Sequence, residues 1–500
     1  MTIKKIKQWI ALVCSVFLIG SAAGCKGCKG CKEEVKVNAL DYSGYDHTFD
    51  FYGYRTVSDG RYTQGGIEYF TGEDYRTKEH YQTYKDCGFT IFFPQSTLQY
   101  YTEDWETSAA KKAMDDCHEI GMEKYIIDDA LLKNMSTSKT DKIGEGLQFE
   151  NEAALDAWVE DRMSAYIDHP VFYGVTYFDE PTTEIMERQM YGAVYRSIKR
   201  VHPEVKIVAN LLPFYENDKR FPDVPEDFVG TEEEIECERY RLYLQKFLDV
   251  TGADSIQVDI YPMQENDIYV RYLQSLQIIA EVCKENNAEM YMVTQSFGAD
   301  YLSVRQVKEE DSRWLNNTLL GFGVKEISYY TYFPDEVSDF HLDGKSFLTR
   351  LGEKTDIWYN SQKIMAENQK FAPTIKNFDY VTCATYTVLP SFYQNSHATK
   401  VKNGTFTKLT SVSINKECAL VTELYDDENQ NYMYMVQNIV DPQNLGSGCY
   451  QTATLTFSSE YDYALIYENG ISRTEKLKDG QLIVKHNPGE ASYIIPFKNK

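Results

Sequence analysis

Basic residues are in short supply. The chain has 51 lysines and arginines against 76 aspartates and glutamates, and a formal net charge of −25. No basic stripe is present to meet a phosphate backbone, so nucleic acid is excluded as a partner and a neutral ligand suits the charge better. The 8 histidines form no cluster and no H-E-x-x-H pattern, so metal-dependent hydrolysis lacks its ligands and no metal is expected. No glycine-rich phosphate turn follows the first predicted strand, which argues against a doubly wound nucleotide-binding sheet. No cofactor is expected. Beyond the first two dozen residues no apolar run is long enough to span a bilayer. Cys87, Cys117, Cys237, Cys283, Cys383, Cys418 and Cys449 are scattered, odd in number and without ligand spacing, so they give no disulfide framework.

What the N-terminus does have is an export pattern. Lys4, Lys5 and Lys7 precede the apolar stretch from Trp9 to Gly20, which is too short for a membrane span and ends in small residues. Ser21-Ala22-Ala23-Gly24-Cys25 resembles a bacterial lipobox, with Ala22 where leucine is commoner. The resemblance implies that Cys25 is lipidated and anchors the chain to the outer face of the cell membrane. Plain cleavage near the same point, giving a secreted protein, is the alternative. Residues 1–24 are thus read as a signal peptide and 25–46 as a tether. The tandem Cys25-Lys26-Gly27-Cys28-Lys29-Gly30-Cys31 could hold a metal or an iron–sulfur cluster. It has no matching second knuckle and no nearby histidine, which favours a basic, glycine-spaced tether.

From residue 47 to 375 short β-like runs alternate with amphipathic helical stretches, the signal of βα units around a parallel sheet. The predicted strands are 48–54, 88–94, 124–129, 171–178, 206–213, 255–262, 289–295 and 326–333. Helices are predicted between them, among them 108–120, 151–168, 182–201, 232–250 and 357–371, the last ending before Pro373. In 151–168, Leu155, Val159, Met163 and Tyr166 recur at three- and four-residue steps and define one apolar face. A charged insertion from Tyr215 to Thr231 reads as a loop on the active face. From 376 to 500 the pattern becomes all-β, with turn clusters at 426–429, Asn469-Gly470 and Asp479-Gly480. The acidic cluster at 426–429 is explained by a hairpin turn more cheaply than by calcium. The fold class expected is α/β, a (β/α)8 TIM barrel followed by a C-terminal all-β sandwich.

In such barrels the active site lies at the C-terminal ends of the strands. The polar residues predicted there are Asp128 and Asp129 (third strand), Asp179 and Glu180 (fourth), Asn210 (fifth), Asp259 and Tyr261 (sixth), Gln295 (seventh), and Tyr330 and Tyr332 (eighth). Forty tyrosines suit sugar faces, though they suit strands and half-buried surfaces equally. Trp105, beside Tyr100 and Tyr101, is the candidate sugar platform. Trp158, Trp314 and Trp358 fall on helices and read as core.

Several motifs, in this order along the chain, resemble clan A glycoside hydrolases, especially the family 42 β-galactosidase type of barrel. Tyr173-Gly174-Val175-Thr176-Tyr177-Phe178-Asp179-Glu180-Pro181 stands where clan A barrels carry an Asn-Glu-Pro acid/base. Asp259-Ile260-Tyr261-Pro262 resembles the sugar-facing end of strand six. Residues 321–330 and 351–359 resemble the approach to strand eight and the start of the final helix. The tail, with Pro488-Gly489-Glu490-Ala491, resembles accessory β domains. The resemblance implies a hydrolase acting on an extracellular carbohydrate through a pair of carboxyl groups. Glu180 would be the general acid, its pKa raised by partial burial and nearby aspartates. The clan's nucleophile, a glutamate ending strand seven, is replaced by Gln295. Asp259 is then the first choice of partner and Asp179 the next. Asp128, Asp129, Asn210, Tyr261, Gln295, Tyr332 and Trp105 would contact substrate. A carbohydrate-binding lipoprotein that keeps the cleft without chemistry is the alternative.

Overall fold

Eight strands lie side by side and parallel: β1 (Asp50–Gly53), β2 (Ile91–Phe92), β3 (Lys124–Ile127), β4 (Phe172–Asp179), β5 (Lys206–Leu211), β6 (Ser255–Asp259), β7 (Glu289–Gln295) and β8 (Glu326–Tyr330). They pair in chain order from β2 to β8, and β8 pairs with β1. The ring closes between β1 and β2, where Thr90 N donates to Phe51 O at 2.9 Å. Beside that bond the Tyr84 hydroxyl accepts from Gly53 N and donates to Ile91 O, at 2.8 and 2.7 Å. A phenol stands in for a ladder hydrogen bond at the seam. Inside the ring Tyr52, Tyr54, Ile91, Phe93, Ile126, Val208 and Val293 pack into one cluster, the filled core expected of an eight-stranded barrel.

The computed structural model describes residues 40–499 apart from 65–66, 102, 215–218, 300–302, 335–344, 388–395, 417 and 444–448. The stretch expected as a signal peptide, the expected anchor Cys25 and the expected tether up to residue 39 lie outside the described residues. No helix among the described residues is long and apolar enough to cross a membrane.

The helices outside the ring are α1 (Lys78–Asp86), α2 (Ala109–Glu119), α3 (Ala130–Ser136), α4 (Glu152–Met163), α5 (Thr183–Met186), α6 (Gln189–Val201), α7 (Glu232–Thr251), α8 (Tyr272–Asn286), α9 (Glu309–Gly321) and α10 (Asp356–Ile375). The stretch expected as one helix over 182–201 is two. Arg188 takes an extended ψ of 136° and starts α6 afresh, which then buries Met190, Val194 and Ile198 on one stripe. The last helix does not stop before Pro373 but runs through it to Ile375. Proline in a final turn sacrifices one helical bond, and Asn377 Nδ2 takes up Pro373 O and Thr374 O at 2.7 and 3.2 Å. Helix α3 was not foreseen; Asp129 starts it by accepting from Leu131 N and Leu132 N.

Past α10 come β9 (Asp379–Thr387), β10 (Leu409–Ile414), β11 (Cys418–Asp426), β12 (Asn431–Asn438), β13 (Gln451–Phe457), β14 (Tyr463–Glu468), β15 (Ile471–Lys476), β16 (Gln481–His486) and β17 (Ala491–Phe497). They form a six-stranded sheet, β9-β11-β12-β17-β14-β15, and a three-stranded sheet, β10-β13-β16. The core between them includes Val421, Val436, Leu455, Ile466, Val484 and Ile494. Burying each such side chain stabilises by about 1.5–3 kcal/mol. Asn469 and Gly470, with φ of 48° and 73°, make the two-residue loop between β14 and β15, a turn that needs positive φ at both positions. At 426–429 Asp426 accepts from Asn429 N and Nδ2 at 3.0 and 2.8 Å, so the acidic cluster is a hairpin turn. The sandwich is fastened to the barrel by Arg305, whose Nη2 lies 2.7 Å from both Asp311 and Asp441. The seven cysteines among the described residues are all free.

Candidate active site

The strand ends bring together Asp179, Glu180, Asn210, Asp259 and Tyr261. A bulge in β4 makes this possible. Thr176 pairs with Val208 and Phe178 with Ala209, leaving Tyr177 as an extra residue. Tyr177 and Phe178 both turn outward against Tyr191, at ring separations of 5.3 and 6.0 Å. The alternation is thereby reset and Asp179 points into the barrel, as bulges beside functional sites commonly re-aim a side chain. Glu180 follows with φ 51°, a left-handed conformation that costs a non-glycine residue roughly 1–2 kcal/mol. It is held there by its N–H donating to Asn210 O at 2.8 Å and by buried Pro181, whose carbonyl accepts from Tyr243 at 2.7 Å.

Asn210 is the hub. Its Nδ2 donates to Asp179 Oδ1 at 3.1 Å and to Asp259 Oδ1 at 2.9 Å, so those two oxygens lie no more than 6.0 Å apart. The two hydrogens of a planar amide diverge, which places the oxygens about 5 Å apart. Asp259 is buried and also accepts from the Tyr261 hydroxyl. Its pKa is pushed up to about 7 by burial, then by the charges of Glu180 and Asp179. Asp179 meets solvent in the mouth, yet the surrounding wall also raises its pKa through burial. Asn210, Gln95, Lys133 and Arg55 act in the opposite sense. Two amides and two cations therefore favour the charge on Asp179, whereas two carboxylates face Asp259. Glu180 is half-buried, with the Arg220 guanidinium 3.8 Å from its carboxylate. Burial and the two neighbouring carboxylates thus raise Asp259 toward neutrality.

The other predicted site residues are placed elsewhere. Asp128 is fully buried. It accepts from Ser96 N, Gln99, Lys133 and Thr176 at 2.7 to 3.2 Å. Asp129, also fully buried, caps α3 and pairs with Arg162 Nε at 2.7 Å and Tyr166 at 3.0 Å. Their oxygens are engaged by protein donors, which leaves them little capacity for the expected substrate contact. Gln295 is engaged in the same way. Its Oε1 accepts from Met263 N, and its Nε2 donates to Phe297 O and Arg305 O, at 3.0, 2.9 and 2.9 Å. It ties the loops after β6 and β7 together. Tyr332 is buried in an aromatic cluster with Tyr84, Phe89 and Phe347. Trp105 packs edge-on to Tyr100 at 5.2 Å and beside Tyr166 at 5.8 Å, as part of the packing that surrounds Asp129.

Four neighbours of the site were not foreseen: Arg55 (φ 54°), Gln95, Arg220 and Tyr54. Tyr54 lies under the carboxylates and accepts from Gln257 at 2.7 Å. Arg220 falls in the charged insertion expected on the active face, and its carbonyl accepts from Thr183 N at 3.1 Å, which pins that loop beside Glu180. Tyr261, Phe297 and Tyr330 form an aromatic wall, with Phe297 5.1 and 5.6 Å from the two tyrosine rings. No group of three or more histidine, cysteine, aspartate or glutamate side chains among the described residues is arranged to hold a metal.

The fold and the mouth thus define a (β/α)8 barrel with a carboxylate cluster at its strand ends. No protein-family model matches the chain, and no curated protein matches it. Among solved structures, an α-amylase from Anoxybacillus, described as a new glycosyl hydrolase subclass, is 11% identical, with 92% of this chain and 100% of that chain covered and a TM-score of 0.49. An α-amylase from Geobacillus thermoleovorans is 11% identical over 90% of this chain and 99% of its own, with a TM-score of 0.46. A family 30 endoxylanase from Clostridium papyrosolvens is 11% identical over 90% and 98%, with a TM-score of 0.38. The activities so described are those of the proteins that bear them. The barrel assignment rests on the strand order, register and seam of this chain.

Proposed function

We propose that this protein is a glycoside hydrolase acting on a neutral oligo- or polysaccharide outside the cell membrane. The observation that carries the reading is the bridge from Asn210 to two carboxyl groups about 5 Å apart, one of which holds a proton near neutral pH. A general acid works best with a pKa near the working pH, which fits Asp259, pushed up to about 7. Asp259 gives its proton to the glycosidic oxygen as the bond to the anomeric carbon breaks. Asp179, whose charge is favoured by Asn210, Lys133, Arg55 and Gln95 against the effect of burial, attacks that carbon in its ionised form. Water then releases the sugar, and Asp259 takes the proton back. A separation of about 5–5.5 Å is the retaining spacing. Glu180, beside Arg220, supplies the negative charge that holds the proton on Asp259. Tyr261 and Tyr330 line the sugar's path.

The narrower likeness to family 42 barrels belongs to this proposal through its strand-four motif and departs from that family at Gln295. Anchoring through Cys25 is likewise proposed, from the lipobox-like sequence. The tying of Gln295 to loop carbonyls favours a second reading, a binding protein that has the cleft without turnover. A screen of nitrophenyl glycosides and glycans with wild type, Asp259→Asn and Glu180→Gln separates the two. Turnover lost in Asp259→Asn supports hydrolysis. Binding without turnover in the wild type supports the second reading.

A further inference from the structure

Between β1 and α1 the chain inserts a two-stranded hairpin, Arg61–Gln64 and Ile67–Phe70. It leaves the C-terminal end of β1, so it stands on the mouth side of the barrel. The loop that carries it begins with Arg55, whose charge acts on Asp179. Its base is fixed. Thr71 N donates to Gly60 O at 2.9 Å and Tyr75 N to Ser58 O at 3.0 Å. Gly60 has φ 81°, and a Cβ there would lie 1.9 Å from Glu73 O, so the hairpin is set by a position only glycine fills.

Tyr62 and Tyr69 pair directly across the hairpin, their rings stacked at 5.3 Å and 17°. The guanidinium of Arg350, from the segment between β8 and α10, sits 4.9 Å over the Tyr62 ring. Arginine, Tyr62 and Tyr69 thus form a stack whose last member, Tyr69, is 42% exposed. Ile67, on the same face by register, is 58% exposed, and Leu351, next to Arg350, is 61% exposed. Apolar side chains this exposed and this close mark a binding surface more often than a monomer's ordinary surface. The hairpin's four-residue strands reach about 13 Å.

We propose that the Tyr62–Tyr69 face is an outlying platform for an extended neutral glycan whose other end occupies the mouth. The inference rests on the carbohydrate reading above and adds to it that the substrate is a polymer rather than a disaccharide. The occupant follows from continuity and charge. The hairpin grows from the same loop that supplies Arg55 to the carboxylate cluster, and a chain of net charge −25 disfavours anionic partners. A tyrosine ring has an apolar face and a polar rim, which suits a sugar unit's alternation of C–H and hydroxyl surfaces.

The test uses the full chain carrying Asp259→Asn, so that glycans are bound and not consumed, with and without Tyr69→Ala. Affinity is read in native gels cast with soluble starch, xyloglucan or galactomannan, and by calorimetry with the matching disaccharides. The expected result is that Kd for the retarding polymer rises about three- to tenfold in Tyr69→Ala. Kd for the disaccharide stays the same, and Tyr69→Phe, which keeps the ring, behaves as its parent. Unchanged polymer retardation in Tyr69→Ala overturns the platform and leaves the reading of the mouth standing. Equal weakening of polymer and disaccharide also overturns it. Failure of every glycan to bind overturns both. Tyr69-dependent polymer binding by a wild type that turns over no glycan sustains the platform and removes only the hydrolase. Glycan binding unaffected while phosphatidylcholine vesicles lose their hold on Tyr69→Ala reassigns the face to a membrane.

Discussion

The two ends of the barrel use the same residue types to opposite effect. At the floor each inward carboxylate has its own cation. Asp50 meets Lys124 at 2.7 Å, and Glu326 meets Lys206 at 2.8 Å. The two lysines also lie over the rings of Tyr173 and Tyr291, at 4.8 and 3.9 Å. At the mouth two carboxyl groups share one amide, and Asp259 faces two negative neighbours, Glu180 and Asp179. Pairing at the floor sets a lysine against each carboxylate, and Lys206 opposes the rise that burial imposes on the Glu326 pKa, which suits a plug. Burial together with crowding at the mouth pushes the Asp259 pKa up to about 7, which suits chemistry. Charge count does not distinguish the ends; the arrangement of partners does.

The contrast is broken most forcefully by removing its central group. Asp259→Asn should lower kcat/KM on a responsive glycoside by about 10²–10⁴-fold, and the loss should appear in kcat. The matching change at the floor, Lys206→Met, leaves Glu326 buried without its cation and should cost about 3–5 kcal/mol of stability. Denaturant unfolding would measure that loss, and the pH–rate profile should not move. A Lys206→Met variant with an altered profile would erase the distinction between the ends. Next in size, Glu180→Gln removes the larger of the two charges that raise Asp259. The alkaline limb of kcat/KM, set by Asp259 losing its proton, should shift to lower pH. Were Glu180 itself the acid, activity would instead fall at every pH.

A smaller effect concerns stability. Asp259 has a folded pKa of about 7 against an ordinary 3.8. The folded state therefore holds this proton more tightly than the unfolded chain, and stability falls as pH rises from about 4 through 7. Asp259→Asn should melt higher than wild type above pH 7, by an amount on the order of 1–4 kcal/mol. The gain should vanish below pH 4. A melting difference that does not vary with pH would contradict the shift.

The barrel was legible because its strands carry a local signal, a short apolar run followed by an amphipathic helix, repeated eight times. Elements without one were not: α3 is seven residues long and depends on its Asp129 cap, and the hairpin at 61–70 has strands of four residues. The mouth was half legible. Asp179, Glu180, Asn210, Asp259 and Tyr261 sit at consecutive strand ends, so order along the chain predicts their meeting. Asp128, Asp129 and Gln295 sit at strand ends too, yet their hydrogen bonds go to Ser96, Arg162 and Arg305. Residue type announces a charge or an amide, but not who holds it. The surroundings of Glu180 were hidden for the same reason, because Arg220 arrives from an insertion some forty residues downstream.

The most direct test titrates the group itself. Carboxyl resonances of ¹³C-aspartate-labelled protein, assigned by difference with Asp259→Asn, report protonation without need of a substrate. Asp259 should titrate near pH 7 and move to lower pH in Glu180→Gln. A midpoint near 4 in wild type, unmoved by Glu180→Gln, would contradict the claim that the mouth stores its proton on Asp259.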